Sequence, residues 1–269
     1  MRSFLHERAE LRLAVYETGN GAPMLFQHGL CGDASQPADI FPAEPGWRCL
    51  TLECRGHGES DAGSPEEFSI ATFADDVASL IEAHELAPVV LGGISMGAAI
   101  ALRLAVTRPE MVRALVLARP AWIAENAPAN MEPYALVADL LRQFPPDEAK
   151  RQFEDSETAR WLAKEAPDNL ASHGSFFSRQ PIRTTRDLLS RISADGPGIT
   201  RSQIAALHVP TLVLGNSRDC AHPLAMAQEL AALIPQARMV EVTSKAESRE
   251  RYRDDCKSAL AGFLHSLDS

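Results

Sequence analysis

Ser95 is the residue best placed to do chemistry. It sits in Gly93-x-Ser95-x-Gly97, after the apolar run Pro88-Val89-Val90-Leu91 and before the helix-forming stretch that starts at Ala98. A buried strand passing directly into a helix needs a very sharp turn, and the residue at its apex takes a strained conformation with its side chain held above the sheet. Glycines fit at 93 and 97 because a Cβ there would meet the helix or the adjoining strand. A serine so placed lies at a helix N-terminus, where free N–H groups favour developing negative charge. The chemistry is nucleophilic attack by a serine hydroxyl.

The elements that must hold this turn alternate along the chain. Apolar-rich strands are predicted at 11–16, 23–26, 49–52, 114–117, 209–215 and 238–242, besides the one ending in the serine turn. Helices are predicted at 69–84, where Ile70, Phe73, Val77, Leu80 and Ile81 share a face, and at 223–234 and 248–267. Such alternation implies a mostly parallel sheet covered by helices on both faces. Between about 119 and 206 the alternation stops. Helix-like pieces at 134–144 and 147–165 stand among the seven prolines from Pro128 to Pro197, which reads as a helical insertion over the strand ends. The expected division is a core of 1–120 and 204–269 with a helical cap at 121–203.

Composition narrows the class. The 269 residues are 45% hydrophobic and 23% charged, as in an ordinary globular enzyme. A net charge of -10 argues against nucleic acid or an anionic membrane as partner. Five scattered cysteines without CxxC spacing point to reduced thiols rather than a disulfide frame or zinc site. The start, Met1 to Arg8, becomes charged before a signal-type apolar stretch builds up, and no apolar run would span a bilayer. The expected compartment is the cytoplasm and the expected partner a small-molecule substrate. Oligomeric state is open, and nothing suggests a metal, nucleotide or flavin.

Together, His28-Gly29 at a strand end, Arg55-Gly56-His57-Gly58-x-Ser60, the Ser95 turn and Asp219 after a late strand resemble the α/β-hydrolase superfamily, in its esterase, lactonase and C–C hydrolase branches. The resemblance covers nearly the whole chain. It implies an α/β-hydrolase fold, with a mostly parallel eight-stranded sheet, a cap and a Ser–acid–His triad. Asp219 would be the acid, and the Leu30 and Met96 N–H groups the oxyanion hole. Arg55 and His57 would brace a turn. His28, whose bland reading is packing at a strand end, Arg119 facing an anionic group, and Trp122 in the cap are candidate substrate contacts. The cap's Phe144, Trp161, Phe176 and Phe177 would either enclose substrate or form the cap's own core.

The sequence departs from the pattern at the histidine. The loop after the last strand reads Val242-Thr243-Ser244-Lys245-Ala246-Glu247-Ser248-Arg249, and the only later histidine, His265, lies near the end of the final helix. Without a base, a serine hydroxyl is a poor nucleophile. His222, three residues after Asp219, could fill the gap between serine and carboxylate, with its pKa moved upward if Asp219 stabilises the imidazolium. Glu247 or Lys245 would need a pKa shifted by burial, and His28 or His173 would have to swing in. The reading is a serine hydrolase of a small carboxylic ester, lactone or related acyl compound. The alternative is a hydrolase-like protein that binds a small molecule without turnover.

Overall fold

Apolar side chains on the central strands divide between two layers. Met24, Phe26, Val90, Val116, Leu212 and Leu214 pack into one core, and their neighbours Leu25, Leu91, Leu115, Leu117 and Val213 into another. Strands buried on both faces belong to the middle of an α/β sheet. The computed structural model describes residues 2–42 and 44–267. Its strands are β1 (Arg2–Arg8), β2 (Leu11–Gly19), β3 (Gly21–Gln27), β4 (Gly46–Leu52), β5 (Val89–Ile94), β6 (Val112–Ala118), β7 (Thr211–Gly215) and β8 (Ala237–Glu241). They form one eight-stranded sheet in the order β1-β2-β4-β3-β5-β6-β7-β8. The β1–β2 and β2–β4 pairs are antiparallel and the rest parallel.

The helices are α1 (Ser35–Ile40), α2 (Ile70–Ala83), α3 (Met96–Thr107), α4 (Glu132–Gln143), α5 (Pro146–Glu154), α6 (Glu157–Glu165), α7 (Pro167–Phe176), α8 (Ile182–Ser193), α9 (Arg201–Ala205), α10 (Leu224–Leu233) and α11 (Arg249–Leu267). Helices α2, α3 and α10 share the larger core. Tyr252, Cys256, Leu260 and Phe263 of α11 belong to the other, with Ile40 of α1. Between β6 and β7 the described chain contains only helices and loops, and β7 re-enters the sheet beside β6, with Leu115 opposite Thr211. No described helix is long and apolar enough to cross a membrane.

Besides adding α1, α7, α8 and α9, which the sequence reading does not place, the structure revises the expected elements in two places. Residues 2–8, read only as a charged start, form edge strand β1, whose burial pattern is mostly exposed and so gives little hydrophobic signal. The helix expected at 147–165 is two. The break falls at Asp155 and Ser156, where the Ser156 hydroxyl accepts a hydrogen bond from Ala159 N at 3.0 Å and starts α6.

The turn after β5 leaves no room for side chains at its two glycines. A Cβ on Gly93 would overlap the Gly97 backbone, and one on Gly97 the Gln27 carbonyl. Backbone atoms cannot move aside as a side-chain tip can. Gly93→Ala should therefore destabilise the fold by about 1–3 kcal/mol or more, read as a lower denaturant midpoint. An unchanged midpoint would mean that the turn is looser than its geometry.

Candidate active site

Strand β5 ends at Ile94 and α3 begins at Met96, so Ser95 alone makes the turn, with φ 57° and ψ −113°. Such a conformation costs on the order of 1–3 kcal/mol. It is held by Ser95 N donating to Ala118 O at 3.0 Å and by Ala98 N and Ala99 N donating to Ser95 O. Ser95 Oγ makes no hydrogen bond among the described residues. It lines a cavity of about 140 Å³ with Leu30, Arg119, Tyr134, His222 and Lys245. A space of that size suits a group about as large as benzene.

Asp219 and His222 leave β7 on one short loop and form a buried pair. His222 Nδ1 lies 2.9 and 3.0 Å from the two Asp219 carboxylate oxygens. A carboxylate only accepts, so Nδ1 carries the proton and Nε2 keeps its lone pair. Nε2 is buried and has no partner among the described residues. A buried polar atom left open costs about 1–3 kcal/mol.

Four further donors fix the Asp219 carboxylate. Arg119 Nε and Nη2 reach Oδ2 at 2.8 and 2.6 Å, while Asn169 Nδ2 and His222 N reach Oδ1 at 3.0 and 3.2 Å. Asn169 Oδ1 accepts from Cys220 N and Ala221 N, so α7 clamps the Asp219 loop. Burial alone would raise the Asp219 pKa, but Arg119 and His222 outweigh it and hold the carboxyl far below the usual range. For His222, burial pushes the pKa down. Asp219 opposes this, while Arg119 and Lys245 add to it. The net shift is downward, against the upward shift expected from Asp219 alone, because burial outweighs the carboxylate and Arg119 adds to the burial.

On the other side of Ser95, Gly29 O accepts from His28 Nδ1 at 2.8 Å and Gly32 N at 2.9 Å. A planar trans peptide points its N–H opposite its carbonyl, so these bonds turn Leu30 N–H the other way. Leu30 N–H has no partner among the described residues. Met96 N–H, first in α3, lies outside the intrahelical ladder. A Cβ on Gly29 would lie 3.4 Å from Ser95 Cβ, so this peptide lies against the serine.

Several expected contacts do not reach the cavity. His28 is fully buried, with Nε2 accepting from Cys54 N at 3.0 Å and Nδ1 engaged as above, so it braces the Gly29 peptide and has no atom for substrate. Trp122 is buried and donates to Asp195 O at 2.9 Å, also outside the cavity lining. Arg119 does line the cavity, but its Nε and Nη2 are engaged by Asp219. His173 packs on Tyr134, Phe153 and Phe176, with its pKa pushed down to about 4 by burial. Glu247 is exposed, and His265 lies 2.9 Å from Glu44 on the last turn of α11. Of the cap aromatics named from sequence, only Phe176 lines the cavity, while Trp161 is about half exposed. His57 Nε2 accepts from Cys31 N at 3.0 Å, and Arg55 pairs with Asp76 at 2.7 and 2.9 Å.

Sequence reasoning missed Asn169 and Tyr134 in the lining and the pairing of Arg119 with Asp219. Asn169 lies in the first turn of α7, where a polar residue carries no signal of its own. No group of three or more metal-ligating side chains occurs among the described residues.

Residues 22–247 match the family model described as alpha/beta hydrolase fold. The AB hydrolase superfamily protein YisY of Bacillus subtilis is 28% identical over 285 residues, covering 99% of this chain and 100% of that protein. Among solved structures, the enol-lactonase from Burkholderia xenovorans LB400 superposes with a TM-score of 0.75 at 24% identity, covering 97% of this chain and 99% of that one. A thermophilic esterase from Thermogutta terrifontis gives a TM-score of 0.73 at 23% identity, with both chains fully covered.

Proposed function

Because this chain belongs to the alpha/beta hydrolase fold family, we propose that it is a serine hydrolase of a small carboxylic ester, lactone or related acyl compound. The observation that carries the reading is the open Nε2 of His222, buried on the cavity that Ser95 lines and backed by Asp219. The base would thus come from the acid's own loop, three residues on, instead of from the loop after β8.

In this mechanism Ser95 Oγ attacks the carbonyl carbon as its proton passes to His222 Nε2. Leu30 and Met96 N–H groups stabilise the resulting oxyanion. As the tetrahedral species collapses, His222 returns the proton to the leaving oxygen and leaves an acyl-serine. Water, deprotonated by the same nitrogen, then releases the acid and restores Ser95. Asp219 keeps Nδ1 protonated and stabilises the transient imidazolium. Residues 121–203 would act as a cap, contributing Tyr134, Asn169, Ser172 and Phe176 to the cavity wall.

One fact favours the alternative of binding without turnover: no hydrogen bond joins Ser95 Oγ to His222 Nε2. Catalytic hydrogen bonds are often long in unliganded sites and tighten with substrate, so the geometry remains compatible with catalysis. A fluorophosphonate probe separates the readings. We expect it to label the chain at Ser95, and labelling to disappear in Ser95→Ala. An unlabelled wild-type protein that also turns over no ester would retire the hydrolase reading.

A further inference from the structure

Charge around the cavity is balanced except at one residue. The two carboxylates that line it each pair with an arginine, Asp168 with Arg249 at 2.6 Å and Asp39 with Arg253 at 3.2 Å, and Asp219 behind the lining pairs with Arg119 at 2.6 Å. The remaining cation is Lys245, on the loop between β8 and α11. It lines both this cavity and a recess of about 490 Å³ that shares Asp39, Asp168, Ser172 and Tyr252 with it.

Lys245 is in no ion pair among the described residues. Its ammonium instead lies 4.7 Å from the centre of the Tyr252 ring. The loop holding it is built firmly: Thr243 N donates to Asp255 Oδ2 at 2.8 Å, Val242 N to Gly215 O at 2.9 Å and Glu247 N to Ser244 O at 2.9 Å. Asp168 and Asp219 attract this half-buried ammonium only from beyond ion-pair distance, so a ligand carboxylate in the shared cavity would be its first direct counter-charge.

We propose that Lys245 is the carboxylate-binding residue of this cavity, and that the substrate is an ester or lactone carrying a second, free carboxylate. The substrate class rests on reading Ser95 as the nucleophile; the anion subsite itself does not. Arg119, considered from sequence for this contact, is the weaker choice because its charge is already matched by Asp219, which takes Nε and Nη2. Burial, with Arg119 nearby, brings the Lys245 pKa down to about 8, so it is still largely cationic at neutral pH, and a bound carboxylate would raise it again.

The test compares monomethyl esters of succinic, glutaric and adipic acid with the same esters whose free carboxylate is a primary amide. At least one acid should exceed its amide in kcat/KM by about tenfold to a hundredfold, the worth of a charge-assisted hydrogen bond. Lys245→Met should bring that ratio to about one, and Lys245→Arg should restore most of it. A wild-type ratio near one, or one that survives Lys245→Met, overturns the proposal. Calorimetry with glutarate and glutaramide on Ser95→Ala reads the same subsite without turnover. Preference for glutarate that is lost on adding Lys245→Met supports the subsite even if no ester proves to be a substrate, in which case only the hydrolase reading fails. Equal binding of both compounds refutes the subsite even in an active enzyme.

Discussion

His222→Ala should lower kcat/KM on small esters by on the order of a thousandfold or more, whereas Glu247→Gln should change it by no more than about twofold. A serine hydroxyl is a weak nucleophile until a base takes its proton. His222 Nε2 is buried on the cavity and has no partner among the described residues to surrender first. Glu247 is exposed and lies 3.8 Å from Arg251, outside the cavity lining. The pH profile carries a second signature. Protonating Nε2 removes the acceptor, so kcat/KM falls as pH drops through the folded pKa of His222. Burial first, and then Arg119 and Lys245, hold that pKa down against the pull of Asp219. The acidic limb should therefore be centred below about 6.5, the value of a free histidine. Lys245→Met removes one of the depressing charges and should move the limb to higher pH. Near-normal turnover by His222→Ala would eliminate this base and return attention to Lys245, which has a lowered pKa and faces the same cavity.

How much of this was legible follows from where each signal lies. Ser95 announces itself because its turn demands small residues at fixed offsets, and steric demands are written locally. The strands from β2 onward and helices α2, α10 and α11 were visible through local periodicity. Strand β1 was not, because an edge strand buries too little to show a pattern. The pairing of Arg119 with Asp219 joins positions 100 residues apart, and nothing at either position specifies the other. Arg119 even has a left-handed φ of 47°, set where the chain leaves β6 and donates Arg119 N to Leu214 O at 2.7 Å. An arginine before Pro120 gives no hint of that. Asn169 is harder still, since its two roles, donor to Asp219 and acceptor from the 220–221 backbone, exist only once α7 has docked. Lys245 was visible as the residue in the histidine's usual loop. Its lack of a counter-ion could appear only after every nearby carboxylate had been assigned an arginine.

Asp219→Asn should cost both activity and stability, and the two losses should respond differently to a second change. An amide in place of the carboxylate can donate to Nδ1 and so favour the wrong tautomer, with the proton on Nε2. Loss of kcat/KM should be on the order of a thousandfold to ten-thousandfold. The same substitution strips Arg119, whose side chain is 7% exposed, of the only carboxylate paired with it among the described residues. Breaking one side of a buried ion pair costs about 3–5 kcal/mol, whereas replacing both partners with groups that need no counter-charge is often neutral. Asn169, which donates to Asp219 Oδ1 and accepts from two backbone N–H groups, can keep the loop in place in either variant. Adding Arg119→Met to Asp219→Asn should therefore recover most of the lost stability in a denaturant titration while leaving activity low. Stability that does not fall in the single variant would show that the contact Arg119 already makes with Tyr252, whose ring centre lies 5.6 Å from its guanidinium carbon, is enough to hold it. Activity that returns in the double variant would mean that Asp219 serves only to neutralise Arg119 and does nothing for His222.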